Sequence, residues 1–141
     1  MAVDFDHGLY RDLGDEVVSA PVKAAATWAA GDLLKLDAGY LTVCAASDIP
    51  YGVAVATLTA ADSPSTSGDV DALVYVGGNN HYAYPPAAGS AAITLVGKAC
   101  DVGGAASADI AASLDKSLLI VDVDVDANKV IVQLAQAFVG V

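Results

Sequence analysis

Basic side chains are scarce in this 141-residue chain. Six Lys and Arg residues stand against 17 Asp and Glu residues, and the formal net charge at pH 7 is −11. The six are scattered along the sequence, at Arg11, Lys23, Lys35, Lys98, Lys116 and Lys129. Nucleic acids and anionic membrane surfaces are bound largely through clustered Lys and Arg. The composition therefore predicts that the protein binds neither.

Long apolar runs, secretory signals and aromatic residues are also lacking. No apolar run approaches the ~20 residues that a membrane-spanning helix needs. The opening residues, MAVDFDHGLY, lack the basic start and apolar core of a signal peptide. We therefore expect synthesis in a reducing cytoplasm, with Cys44 and Cys100 as buried thiols. Aromatic residues make up only 6% of the chain, which argues against a large aromatic ligand pocket.

Short apolar runs separated by turn residues account for most of the remaining sequence. GDLLKLDAGYLTV predicts a hairpin that turns at Asp37–Gly39, and VDALVYV predicts a strand that ends at GGNN. HYAYPPAAGSA is interpreted as a loop, because Pro85 and Pro86 exclude a central strand. GGAASADIAASLD is rich enough in Ala for one short helix, capped by Ser107. The pattern predicts an all-β domain, either a small β-barrel or β-tulip-like fold or a sandwich, with at most one short helix.

The first residues differ from this body. Residues 1–20 combine acids with spaced apolar side chains and fit neither a helix nor a strand for long. We interpret them as an extended N-terminal arm that is ordered where something covers it, and residues 21–141 as a single β domain. The arm contains the candidate partner-binding residues Val3, Phe5, Leu9, Tyr10 and Arg11.

The stretch LLIVDVDVDANKVIVQL contains three aspartates at alternate positions. Asp122, Asp124 and Asp126 match the start of a calcium-binding loop, but Ala127 stands where that loop needs Gly, and Gln133 stands where it needs Glu. Apolar residues interleave with the aspartates at period two, which is the primary signal of a strand. We therefore expect a hairpin with solvated aspartates, turning at residues 126–128, and no metal.

No catalytic constellation is evident. His7 and His81 lie far apart, and neither has a companion at zinc-ligand spacing. A pairing of Cys44 or Cys100 with His81 would make a nucleophile and base, but nothing local supports it. The sequence predicts a protein that is not an enzyme and needs no cofactor or metal. A small metal-dependent enzyme remains the weakest alternative.

Residues 20–76 carry a resemblance to a known family. Gly31–Asp32 precedes an apolar strand, a Gly-centred turn follows, and ASDIPYGV forms a bend before the small-residue strand AVATL. This order resembles the capsid decoration (cement) proteins of tailed phages. The resemblance implies a structural protein of the virion, often a trimer, which binds the outer surface of the icosahedral head, contacts the major capsid protein and bridges its subunits.

A carbohydrate- or receptor-binding β-domain of a virion or cell surface is the main alternative. It rests on the aromatic segment NNHYAYPP, where exposed tyrosines beside Asn and His would stack on sugars. The same segment supplies the secondary contact candidates for a capsid partner, because Tyr is also enriched at protein interfaces. These candidates are Asn79, Asn80, His81, Tyr82 and Tyr84.

Overall fold

The computed structural model describes residues 6–135 and has two antiparallel sheets, which confirms the all-β class. A single 3-10 turn, Ile93–Leu95, is the only helix among these residues. The strands are β1 (Gly8–Arg11), β2 (Glu16–Pro21), β3 (Leu33–Asp37), β4 (Tyr40–Val43), β5 (Gly52–Ala54), β6 (Asp71–Val76), β7 (His81–Tyr84), β8 (Ala99–Gly104), β9 (Ser107–Asp109), β10 (Leu118–Asp124) and β11 (Lys129–Leu134).

Several strands that are neighbours in the sheets lie far apart in the sequence. One sheet has the order β1-β7-β11-β10-β8-β9 and the other β2-β6-β5-β3-β4. Both predicted hairpins, β3–β4 and β10–β11, are confirmed. The two N-terminal strands occupy edges, β1 in the six-stranded sheet and β2 in the five-stranded sheet. The first residues therefore connect both sheets.

Two large apolar cores hold the sheets, and a small third cluster forms around Ala83 and Ile131 of the six-stranded sheet. The larger core lies between the sheets, where Leu33 and Val53 of the five-stranded sheet share a buried cluster with Tyr82 and Val130 of the six-stranded sheet. The second fills the other face of the five-stranded sheet, around Trp28. That sheet is curled, so that Val22, just after β2, forms a β-bridge with Leu41 of β4 at the opposite edge. No closed barrel results.

The structure corrects two local predictions. No helix forms in the Ala-rich segment, because Ser107 begins β9, which pairs with β8. The following loop is held by the buried Asp101 carboxylate, which accepts hydrogen bonds from the backbone N–H groups of Leu114, Asp115 and Lys116. The loop prediction for His81–Tyr84 is also wrong. These residues form β7 between β1 and β11, and the two prolines follow its end.

The aspartate stretch forms the predicted strand and turn, with one irregularity. A bulge between Ile120 and Asp122 shifts the register of β10 against β11. Leu118 and Ile120 face the core before it, and Val123 packs against the core after it. Asp122 and Asp126 are exposed and Asp124 is half-buried. Among residues 6–135, no group of three His, Cys, Asp or Glu side chains is placed to hold a metal ion.

Candidate interaction surface

The predicted N-terminal contact residues lie partly on β1. Val3 and Phe5 fall outside the described residues. Leu9 turns inward and packs against the core between the sheets, whereas Tyr10 and Arg11 are exposed. Two of the three described candidates are therefore available to a partner.

The start of β1 is fixed to the body of the domain by close contacts. The imidazole of His7 lies 2.6 Å (Nε2) from Asp32 Oδ1 and 2.9 Å (Nδ1) from Asp6 Oδ2. The contact with His7 also lowers the pKa of the Asp6 carboxyl, through a hydrogen bond and the opposite charge. Next to it, Gly8 and Gly31 meet backbone to backbone, so closely that a Cβ on Gly8 would lie 2.8 Å from the Gly31 Cα.

Residues 8–20 of the predicted arm therefore belong largely to the two sheets. β1 pairs with β7, and β2 pairs with β6 along its whole length, from Glu16 opposite Val76 to Pro21 opposite Asp71. Local pattern reading missed both strands, because their partners come much later in the sequence.

The NNHYAYPP segment offers little side-chain surface. Asn79 is exposed and His81 half-buried, but Asn80, Tyr82 and Tyr84 are buried. The Tyr84 hydroxyl donates a hydrogen bond to the Gly31 carbonyl, and burial raises the pKa of Tyr84 well above its ordinary value. Buried rings cannot stack on a sugar. The expectation of exposed tyrosines here is wrong, and the sugar-binding alternative loses its main support.

An apolar surface that the sequence did not reveal lies where β2 and β6 pair. Val17 stands opposite Tyr75, and Leu73 follows two positions away on the same side of β6. Val55 lies beside them, since its N–H donates to the Leu73 carbonyl. Val17 is 44% exposed and Leu73 51%. We call these four residues, Val17, Val55, Leu73 and Tyr75, the β2–β6 face.

A hollow of about 200 Å³ continues this face toward β1. Tyr75 and Val55 line it together with His7, Leu9, Ala30, Gly31 and Ala54. His7 already engages carboxylates through both ring nitrogens, so it has no free nitrogen to act as a base.

The cysteines are poor candidates for chemistry. Cys44 and Cys100 are free thiols buried in the core between the sheets, as expected. Burial, helped by Asp48 near Cys44 and by Asp101 near Cys100, raises the pKa of both thiols to about 12. The reactive thiolate is therefore nearly absent at neutral pH.

Nothing matches this chain among family models, curated proteins or solved structures. Within residues 6–135, no helix is long and apolar enough to cross a membrane.

Proposed function

We propose that this protein is a non-enzymatic capsid decoration protein. It binds the outer surface of an icosahedral phage head and bridges neighbouring major capsid subunits, as the sequence resemblance of residues 20–76 implies. The observation that carries the proposal is the exposed β2–β6 face and its adjoining hollow, on an acidic all-β body. Apolar patches of this kind commonly mark protein–protein contacts.

Charge supports the outer location. With a net charge of −11, the protein is repelled by packaged DNA, whereas it can dock on capsid protein. Arg11, exposed at the edge of β1, adds a planar donor that pairs well with carboxylates on a partner. Assembly as a homotrimer, with synthesis in the host cytoplasm, belongs to the same proposal.

The test uses expanded, DNA-free heads assembled from the major capsid protein of the same genome. Binding of the purified protein is measured by co-sedimentation, and its position by cryo-microscopy. A double variant, Val17→Ser with Leu73→Ser, is expected to bind at least about tenfold more weakly, because each side chain loses apolar burial at the contact. Both residues are exposed in the free protein, so the melting temperature should change little.

Leu114→Ser is the matched control. Leu114 is 90% exposed and lies in the loop before β10, where its N–H donates to Asp101 of β8, in the sheet that does not contain β2 and β6. Its loss should leave head binding unchanged. Equal binding by wild type and the double variant would remove the β2–β6 face from the contact, and no binding by the wild type would overturn the proposed function itself.

Val3 and Phe5 are tested by deleting residues 2–5. This truncation leaves every described strand intact. A longer deletion of residues 2–18 would remove β1 and half of β2, so it is expected to unfold the domain rather than isolate the arm. Head binding that falls while the melting temperature holds would support a contact through Val3 and Phe5, and unchanged binding would contradict it.

A further inference from the structure

The hydrogen-bonding direction of β2 follows from its neighbour β6. The Leu73 carbonyl accepts the N–H of Val55, and the Tyr75 carbonyl lies against Gly52, so both point toward β5. Backbone groups of successive residues in a strand point to opposite sides. The backbone N–H and C=O groups of Ala72, Val74 and Val76 therefore point toward β2. Their partners in register are Ala20, Val18 and Glu16.

Val17 and Ser19 consequently direct their N–H and C=O groups away from β6. β2 is the end strand of its sheet, and no other described strand pairs with that side. Pro21 occupies the next outward position, where the lack of an N–H is harmless. Beyond it, Val22 closes the gap through its bridge to Leu41. The open edge thus covers residues 16–20.

Between its two ends, this edge lacks the usual protections against strand addition. Natural edges are blunted by charged side chains, especially Lys, by Pro, by bulges or by very short length. In the six-stranded sheet, β1 is bulged and β9 has three residues. β4 is four residues long and is bridged by Val22. β2 has six residues in regular register, and its charged residue and its proline, Glu16 and Pro21, stand only at its two ends.

The β2–β6 face adjoins the same edge. In a strand added beside β2, every second side chain would lie on the face of the sheet that exposes Val17 and Leu73. Edge and face together match the two parts of recognition by strand addition, in which backbone hydrogen bonds give affinity and alternate side chains give specificity.

Charge indicates which strand fits. Exposed carboxylates stand at both ends of the open edge, Glu16 at one end and Asp71, opposite Pro21, at the other. A second copy of β2 would bring another Glu16 and no basic residue to this edge. It offers these carboxylates no opposite charge, so a second copy is disfavoured.

We infer that the open edge of β2 accepts an extended segment of a partner protein, with alternating apolar residues and a basic residue at each end. The open edge stands on the geometry of β2 and β6. The assignment of that segment to a capsid subunit rests on the proposed function.

The direct test uses a synthetic heptapeptide, Lys-Val-Thr-Val-Thr-Val-Lys with blocked ends, and the full-length protein. Amide hydrogen exchange is followed by NMR at the edge amides of Val17 and Ser19. At a peptide concentration ten times the dissociation constant, exchange of these amides is expected to slow about tenfold. The same peptide with Glu at both ends should protect much less, because Glu16 and Asp71 repel it.

Ser19→Pro removes one outward N–H and leaves the bonds to β6 in place, and Ser19→Thr retains the N–H as the control. The Lys-ended peptide should protect Val17 in the Ser19→Thr protein but not in the Ser19→Pro protein. An independent test uses the Lys-ended peptide N-methylated at all five internal residues, which cannot pair with the edge through either of its sides and should give no protection, whether or not Ser19→Pro folds.

The results separate the open edge from the proposed function. No protection of Val17 and Ser19, or equal protection of the β4 and β9 edges, overturns the inference. Equal protection by the Lys-ended and the Glu-ended peptide overturns the claim that the partner segment has a basic residue at each end. A dimer in light scattering that Ser19→Pro abolishes makes a second copy the occupant and also overturns it. Peptide protection without head binding supports the open edge and contradicts only the capsid role. Head binding undiminished in Ser19→Pro contradicts only the assignment of the bound segment to a capsid subunit.

Discussion

Asp15 and Asn80 clamp the connection between β1 and β2 onto the turn between β6 and β7. The Asp15 carboxylate accepts the backbone N–H groups of Asn79 and Asn80, at 2.9 and 3.0 Å. In return, the buried Asn80 side-chain oxygen accepts those of Leu13 and Asp15, at 2.7 and 3.2 Å. The clamp joins the edge strands of both sheets at one point and so positions β2 with its outer edge open.

Asn80→Ala should therefore destabilise the fold. Two backbone donors in part-buried hydrogen bonds lose their partner, at a cost of roughly 2–3 kcal/mol. Thermal melting should fall by about 5–10 °C. Asn79→Ala is the control, because only its backbone N–H takes part, and it should change the stability by less than about 0.5 kcal/mol. Equal melting temperatures for the two variants would show that the clamp does not stabilise the fold.

Gly8→Ala should lower the free energy of unfolding by more than the usual cost of an alanine at positive φ. Gly8 has φ +115° and a Cβ there would lie 2.8 Å from the Gly31 Cα, whereas Gly14 has φ +93° with open space around it. Ala at Gly14 meets only the backbone penalty, about 1 kcal/mol. Ala at Gly8 must also push β1 from the body, so we expect about 3 kcal/mol or more. Urea unfolding measures both, and similar losses would mean that the Gly8–Gly31 contact yields easily.

The two cysteines should be unreactive in the folded protein. With burial raising the pKa of both thiols to about 12, a thiol reagent at pH 8 should label neither until guanidinium chloride unfolds the chain, when both react. Labelling of one thiol in the native protein would show that its part of the core opens readily.

The same thiols should make the protein less stable as the pH becomes alkaline. A thiol whose pKa is raised by folding stabilises the native state fully below its ordinary value near pH 9, and this contribution is lost as the pH rises toward 12. Urea midpoints should fall across this range. The double variant Cys44→Ala with Cys100→Ala, though less stable throughout, should show a shallower fall, and identical slopes would contradict this contribution.

Calcium should leave the stability unchanged. Asp124 Oδ1 accepts the Ala127 N–H in the turn after β10, Asp122 Oδ1 accepts the Val123 N–H, and Asp126 lies in the turn. Melting curves with excess calcium and with chelator should coincide. A midpoint that rises with calcium concentration, as binding to the native state requires, would show that these carboxylates form a site.

The sequence alone was sufficient where structure depends on nearby residues. Alternation and turn chemistry predicted the hairpins Leu33–Val43 and Leu118–Leu134 and the all-β class, and composition predicted the buried thiols. Local patterns also misled. Pro85 and Pro86 suggested a loop, but they only end β7, and Ala-rich composition suggested a helix where Asp101 instead anchors the loop after β9.

Tertiary structure decided which strands became neighbours. Backbone donors and acceptors are the same in every residue except Pro, so the sequence of a short strand such as β2 does not identify its partner strand. Pairing of β1 with β7 and of β2 with β6 incorporated most of residues 8–20 into the sheets, buried Tyr82 and Tyr84, and exposed Val17 beside Leu73. The open edge of β2 exists only because no described strand lies beyond it. That arrangement is set by packing across the whole chain.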